Sequence, residues 1–484
     1  MTDVAAPRSV NYTDTLPLAI ASTQNRRSFF PQNGQSFTDT GSNIIRIDVN
    51  ADGLLDTQQS YLEFTLRNLE ANTRALDQGH VWIKRLTIES GGVILEDINS
   101  YNRLVGGILQ PAQGSAAYTG EMQVAQGGSS QSGDVSGDNV VTGDDMDAFG
   151  IKPMAGFQNL FPAVVAEAGG GNVVPAQTQS NGTGVIDAAG GAGATTVVGQ
   201  YHLACGFLNM DKYLPLVLMG QGFTIQLELE VGANIGIMTG GGAGVAAAYE
   251  ILNVKYVAHI VEMQRDFYDM LRNLQSQSGG SLMIGSSTFR HFSHTYAPAV
   301  AGGTEEINIT ARVRSLENLL WCSTVGANVG NSAIYNLANS SALGTVGGSF
   351  NVFVGAIRYP SNQVSWNNVN NKGEAYQELR KCFGALGSIN HGGLLNACTY
   401  LSSSTGSEVA LNGGLPRYAP MGISFKSWRH ELEDGIDTSS SALPIRLSIT
   451  TDANGGAVAN TIDIFAQATV LFYFNMDGTV TANV

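Results

Sequence analysis

Short runs in which apolar and polar residues alternate recur along the whole chain, and they leave little choice of fold. Ile45, Ile47 and Val49 alternate with Arg46 and Asp48, and Leu62, Phe64 and Leu66 with Glu63, Thr65 and Arg67. Phe223, Ile225, Leu227 and Leu229 face away from Gln226, Glu228 and Glu230, and the next run covers Tyr249 to Val261. The later part repeats the texture with Ile307, Ile309, Ala311 and Val313, then Phe350, Val352, Val354 and Ala356, followed by Val364 and Trp366. Leu443, Ile445, Leu447 and Ile449 form another set, and Ile462 to Phe474 reads as the last strand. Successive side chains of a strand point to opposite faces, so a period of two predicts strands with one face in a core. Sheets of this kind must be packed in pairs, which predicts an all-β protein.

One stretch fixes a hairpin. Val81 to Ser90 and Val93 to Asn99 flank Gly91-Gly92, and paired glycines reach the positive φ that a two-residue turn needs. Trp82, Leu86 and Ile88 are predicted to share a face, with Lys84 aligned among them; Val93 and Leu95 share another, opposite Ile94. A short polar segment, Asp97 to Arg103, closes the stretch. Two helices stand out by their spacing. Phe267, Met270, Leu271 and Leu274 mark one over 265–277, stopped by Gly279-Gly280, and Tyr376, Leu379 and Phe383 mark another over 374–383, ended by Gly384.

The chain has 484 residues, enough for two or more domains. We read 1–40 as an N-terminal arm, 41–264 as a first β domain, 265–278 as a linker helix and 279–484 as a second β domain. The arm is charge-neutral and holds one small apolar run, Leu16 to Ala21; it is read either as a loose terminus or as a segment ordered against a neighbouring subunit. Residues 111–200 form an insert of another texture, with 18 glycines, eight acids and one base. Such a segment buries little and is expected outside as long loops. Strands are expected to resume at Tyr201.

Charged residues make up only 13% of the chain, about half the usual share, which suits a surface partly covered by other subunits. The net charge of −15 and the absence of a basic run argue against direct nucleic-acid binding. Cys205, Cys322, Cys382 and Cys398 are widely spaced and read as buried free thiols. No apolar run approaches the ~18 residues of a membrane span, and the start lacks a signal-peptide pattern.

Candidate chemistry is sparse. Asp48-x-Asn50-x-Asp52-Gly53 opens like a calcium loop, but its twelfth place is Gln59, so a plain strand connection is preferred. Asp134-x-Ser136-x-Asp138 with Asp145 resembles another, with Asn139 where glycine is wanted, and is read as a solvated acidic loop. His291 and His294 lie three apart, on opposite faces of a strand, which does not favour a shared metal. Glu305-Glu306 and Glu431 with Glu433 read as surface acids, and Asp437-Thr438-Ser439 as a turn. Phosphate-loop, His-Glu-x-x-His and Gly-x-Ser-x-Gly motifs are missing. No catalytic, cofactor or metal residue is assigned, and no enzyme is expected.

Several segments carry a resemblance. Arg85 to Ile88, Ser90 to Gly92, Leu95 to Ile98 and Tyr101 to Leu104 resemble the first jelly roll of the double jelly-roll major capsid proteins of polinton-like viruses, virophages and large DNA viruses. Ser60 to Phe64, Tyr213 to Leu216 with Leu218-Met219, Arg314 to Leu316, Glu374 to Gly384 and Gly435 to Ser439 are similar to further segments of that family, in the same order. The resemblance implies two consecutive eight-stranded jelly rolls with short helices and long loop insertions. It further implies a structural protein of the virion, assembled in the host cell as a homotrimeric capsomer that tiles an icosahedral shell. Its partners would be itself, then neighbouring capsomers and penton and minor capsid proteins; whether a membrane lies beneath is not implied either way. The alternative reading is an extracellular β-sandwich that binds carbohydrate or acts as an adhesin.

Overall fold

The structure, a computed structural model, describes residues 22–68, 73–75, 82–113, 196–238, 249–296, 303–325, 347–367, 371–384, 395, 400–401, 419–428, 434–440, 443–451 and 460–484. Its first half holds β1 (Ser22–Phe29), β2 (Ser36–Thr38), β3 (Ile44–Val49), β4 (Leu54–Asn68), β5 (Thr73–Ala75), β6 (Ile83–Ser90), β7 (Val93–Asn99), β8 (Thr196–Tyr201), β9 (Phe223–Leu229), β10 (Gly236–Met238) and β11 (Tyr249–Met263). Helix α1 (Arg265–Gln277) leads into β12 (Ser281–Tyr296), β13 (Thr304–Ile309), β14 (Leu316–Val325), β15 (Gly347–Val354) and β16 (Ile357–Asn367). Helix α2 (Gly373–Cys382) is followed by β17 (Met421–Ser424), β18 (Ile445–Thr451), β19 (Asn460–Asn475) and β20 (Val480–Asn483).

The pairing is the same twice. In the first half one sheet runs β1-β11-β4-β8 and the other β3-β9-β6-β7; in the second they run β12-β19-β14-β17 and β13-β18-β15-β16. Counting the eight principal strands of each half in chain order, both read 1-8-3-6 and 2-7-4-5, which is the wrapping of a jelly roll. β2 and β20 are additions that pair with β11 and β19, and β5 with β10 makes a small separate ribbon. Alternation does what the sequence implies: Ile45, Ile47, Val49, Ile225 and Leu227 are wholly buried. Each such side chain contributes roughly 1.5–3 kcal/mol by leaving water. The sheets of each half meet through aromatic edges, Phe64 on Trp82 at 5.0 Å and Trp321 on Phe350 at 4.9 Å between ring centroids.

Several sequence expectations change. β1 lies in the segment read as an arm, yet it pairs with β11 of its own chain from Ser22–Met263 to Phe29–Tyr256. It escapes a periodicity search because Ser22 to Ser28 are exposed on both faces. Lys84 is exposed rather than aligned with Trp82 and Leu86, because pairing with β9 shifts by one residue between Ile83 and Arg85. A second irregularity, between Ile88 and Glu89, displaces Leu95, so Leu95 and Glu96 are both buried while Val93 and Ile94 are exposed. The Gly91-Gly92 turn is as expected, with φ of 57° and 82°. Beyond Tyr101, Arg103–Leu109 winds as a π-helical segment that buries Leu104, Val105 and Ile108.

β8 ends at Tyr201 instead of beginning there, and the following loop is anchored by Leu203, Phe207, Leu208, Met210 and Leu214, all buried. Ala356 is exposed because it occupies the turn between β15 and β16, where Val354 pairs with Ile357. Leu443 precedes β18 and is partly exposed, and β20 follows the strand read as the last. α1 forms over the expected residues, but its apolar stripe is not buried: Met270 and Leu274 are 57% and 49% exposed.

Candidate assembly surfaces and the seam between the halves

The most elaborate polar chemistry in the described chain lies where the two halves meet. The π-helical segment after β7 carries Arg103 onto the second half. Its Nε stands 3.3 Å from Asp463 Oδ2 on β19, and His291 Nε2 on β12 lies 2.8 Å from Asp463 Oδ1. Arg103 also donates to the Thr324 hydroxyl on β14. Asp463 is 3% exposed, and its Oδ2 has no aligned hydrogen bond, so charge at 3.3 Å holds that oxygen. Removing one member of such a group would leave the others buried and uncompensated.

A second contact gathers around Glu96 of β7, also buried. Its Oε1 accepts from Gly206 N at 2.9 Å and its Oε2 from Phe207 N at 2.6 Å. Burial raises its pKa above the ordinary carboxylate value, against hydrogen bonds from Thr288 of β12 and from the Phe207 and Gly206 backbone. Gly206 is forced by close approach: a Cβ there would sit 2.6 Å from the Ser287 carbonyl oxygen. Ser286 Oγ donates back to the Gly206 carbonyl at 2.8 Å. Phe207 bridges the halves, edge-on to Phe223 and to Phe472, at 5.2 Å each. Gly220 N donates to the Gly478 carbonyl at 3.0 Å at the other end of the same seam.

Behind the seam Glu317, wholly buried, accepts from Ser287 Oγ at 2.7 Å and Thr469 Oγ1 at 2.9 Å, and pairs with Lys426 at 2.7 Å. Asp463 and Glu317 lie on the outer face of the β12-β19-β14 sheet, whereas Phe207 meets Phe472 on the opposite parity, that of Ile464 and the core. A cleft of about 790 Å³ opens beside it, lined from the first half by Ala204 and Asp211 and from the second by Glu378, Lys381, Lys426 and Trp428. Its acid Glu378 is paired with Lys381 at 2.5 Å.

The equivalent face of the first half, on β1-β11-β4-β8, carries half-buried to exposed polar pairs among the described residues. Arg26 reaches Tyr61 Oη at 2.7 Å, and Lys255–Glu63 and Arg67–Glu250 pair at 2.6 and 3.3 Å. Val198 is 51% exposed among them.

The residues singled out by sequence are dispersed. Asp48 lies in β3 and accepts from Thr224 at 2.7 Å, while Gln59 lies in β4, so Asp48 to Gln59 is two strands and a short turn. His291 joins Asp463, and His294 faces Glu305 at 3.4 Å. Glu306 pairs with Arg446 at 3.2 Å. Asp437 to Ser439 is a turn, with Ser439 N donating to Asp437 Oδ1 at 2.9 Å and buried Thr438 donating to the Ala311 carbonyl at 3.0 Å. Cys205, Cys322 and Cys382 are buried free thiols, and burial pushes the Cys322 thiol up to about 12. Asp134 to Asp145, Cys398, Glu431 and Glu433 lie outside the described residues. Among the described residues no three His, Cys, Asp or Glu side chains are grouped to hold a metal ion, and no helix is long and apolar enough to cross a membrane. Arg103, Glu96, Gly206, Glu317 and Asp463 were not singled out, since their partners are remote in sequence.

No protein family and no curated protein is matched by the chain. Solved structures are matched over almost its full length. The mavirus major capsid protein is 10% identical, with 100% of this chain and 96% of that chain covered and a TM-score of 0.51. PBCV-1 VP54, as fitted into a reconstruction of the virophage Sputnik, is 10% identical over 98% of this chain and 99% of that one, with a TM-score of 0.51. The Faustovirus major capsid protein is 9% identical over 96% and 92%, again at 0.51. At this identity the likeness is one of fold, and the fold is the double jelly roll expected from sequence.

Proposed function

We propose that the chain is a major capsid protein, a structural subunit of a virion that assembles as a homotrimer of pseudo-hexagonal outline. One observation carries this reading. The second half has Asp463, on the outer face of its first sheet, held by Arg103 of the first half, while Gly206 and Phe207 bind the end of the same sheet through Ser286 and Phe472. The first half has the same sheet in the same order, and on that face Val198 and Arg67 are about half exposed among the described residues. A contact that joins unlike surfaces, repeated from chain to chain, closes into a ring when its rotation is one third of a turn. Three chains then present six jelly rolls, each first half receiving the second half of a neighbour. The acidic part of the insert that precedes β8 suits the outside of such a shell, and the likeness to capsid structures points the same way. Residues 41–264 and 279–484, joined by 265–278, are taken as its two domains, with β1 and β2 belonging to the first.

The role is structural rather than catalytic: Asp463, Glu317 and Glu378 are engaged with Arg103, Lys426 and Lys381, and Glu96 with the Gly206 and Phe207 backbone. Native mass spectrometry over a range of concentrations tests the assembly. Trimers are expected to dominate, and a chain that stays monomeric as it is concentrated would overturn the proposal.

A further inference from the structure

Helix α1 turns the wrong residue inward for an isolated amphipathic helix. Its one buried residue is Gln275, whose Nε2 donates to the Phe474 carbonyl at 2.8 Å. Its apolar stripe looks outward: Phe267 and Leu271 are half-buried, and Met270 and Leu274 are about half exposed. A shallow groove of about 380 Å³ runs along it between Asp266, Asp269, Met270, Asn273, Leu274 and Gln277. Thirteen residues make a helix about 20 Å long, too short to be stable by itself, so its stability comes from packing, and its apolar stripe is the face still to be packed.

We infer that the cover is the chain's own N-terminal apolar run, Leu16 to Ala21. The register of β1 brings the run to the helix: Ser22 pairs with Met263, two residues before α1 begins at Arg265. From Ser22 back to Leu16 is six residues, a reach of about 20 Å when extended, which matches the length of the helix. Leu16, Leu18 and Ile20 recur with a period of two, so one edge of an extended segment offers three aliphatic side chains to the stripe. A residue before proline disfavours the helical region, and Leu16 precedes Pro17, so the sequence suits an extended segment. The acids Asp266 and Asp269 beside the groove disfavour an anionic lipid surface as the occupant. The contact is within one chain and does not depend on the capsid reading.

The test uses the full-length protein with p-benzoylphenylalanine in place of Leu274. Irradiation and tryptic mapping are expected to link position 274 to the peptide Ser9–Arg26, in a product that runs at single-chain mass. A link at double-chain mass would assign the groove to a neighbouring copy, and a link only to added phosphatidylglycerol vesicles would assign it to lipid; either overturns the inference. As an independent readout, the double variant Leu18→Asp, Ile20→Asp is expected to raise hydrogen exchange across 265–277 about tenfold while β12 and β19 are unchanged. Unchanged exchange in the helix would equally overturn it.

Discussion

The outer faces of the two 1-8-3-6 sheets occupy the same place in the same topology and are chemically unlike. In the second half that face carries Asp463, Glu317 and Phe465, each under 4% exposed, and its charges are locked to Arg103, His291 and Lys426. In the first half it carries Arg26, Glu63, Arg67 and Lys255, partly exposed and paired locally. The difference fits when each face is covered. A face closed during folding can hold buried ions, because their partners arrive in the same chain. A face that must wait for another molecule has to stay soluble until it is met, so its charges remain hydrated and lightly paired.

The comparison can be broken first at its most expensive point. Asp463→Ala strips the anion from between Arg103 and His291 and is expected to destabilise the fold by about 3–5 kcal/mol in urea unfolding. The matched change Arg67→Ala, whose side chain is 42% exposed on the first-half face, is expected to cost no more than about 1 kcal/mol. Equal losses would show that the two faces are not energetically different. Gly206→Ala comes next, because a Cβ 2.6 Å from the Ser287 carbonyl oxygen must push the halves apart. A loss of about 1–3 kcal/mol in the same assay is expected, and a neutral result would mean that the seam is loose.

Val198→Asp sharpens the other side. Lying 51% exposed, it should leave monomer stability within about 0.5 kcal/mol yet weaken assembly about tenfold on dilution, read by native mass spectrometry. The smallest effect belongs to Glu96. Burial raises its folded pKa above the ordinary 4.5, so the folded state keeps the proton longer than the unfolded chain. Stability linked to this group is therefore full below pH 4.5 and declines as pH rises through the raised value. Glu96→Gln is expected to remove that decline, seen as a flatter urea midpoint from pH 4.5 to 7.

Much of the scaffold could be read from the residues. Phe223 to Leu229 alternates in burial as written, and Gly91-Gly92 makes the turn that its composition demands. Parity failed where a strand gains a residue, at Lys84 and Leu95, because local pattern carries no mark of a one-residue shift in pairing. β1 was unreadable for another reason: a strand exposed on both faces has no apolar side to announce it. The seam was least legible. Asp463 stands at a polar position of an alternating strand and looks solvent-facing until Arg103, 360 residues earlier, is folded onto it. Chemistry assembled from distant segments leaves no local periodicity, whereas a strand's own core face does.

Negative-stain electron microscopy of the purified protein tests the assembly most directly. Class averages are expected to show flat particles of hexagonal outline with six lobes, alone or joined into sheets and shells. Two-lobed particles at every concentration would mean that the β1-β11-β4-β8 face of the first half meets no neighbour, and would contradict it.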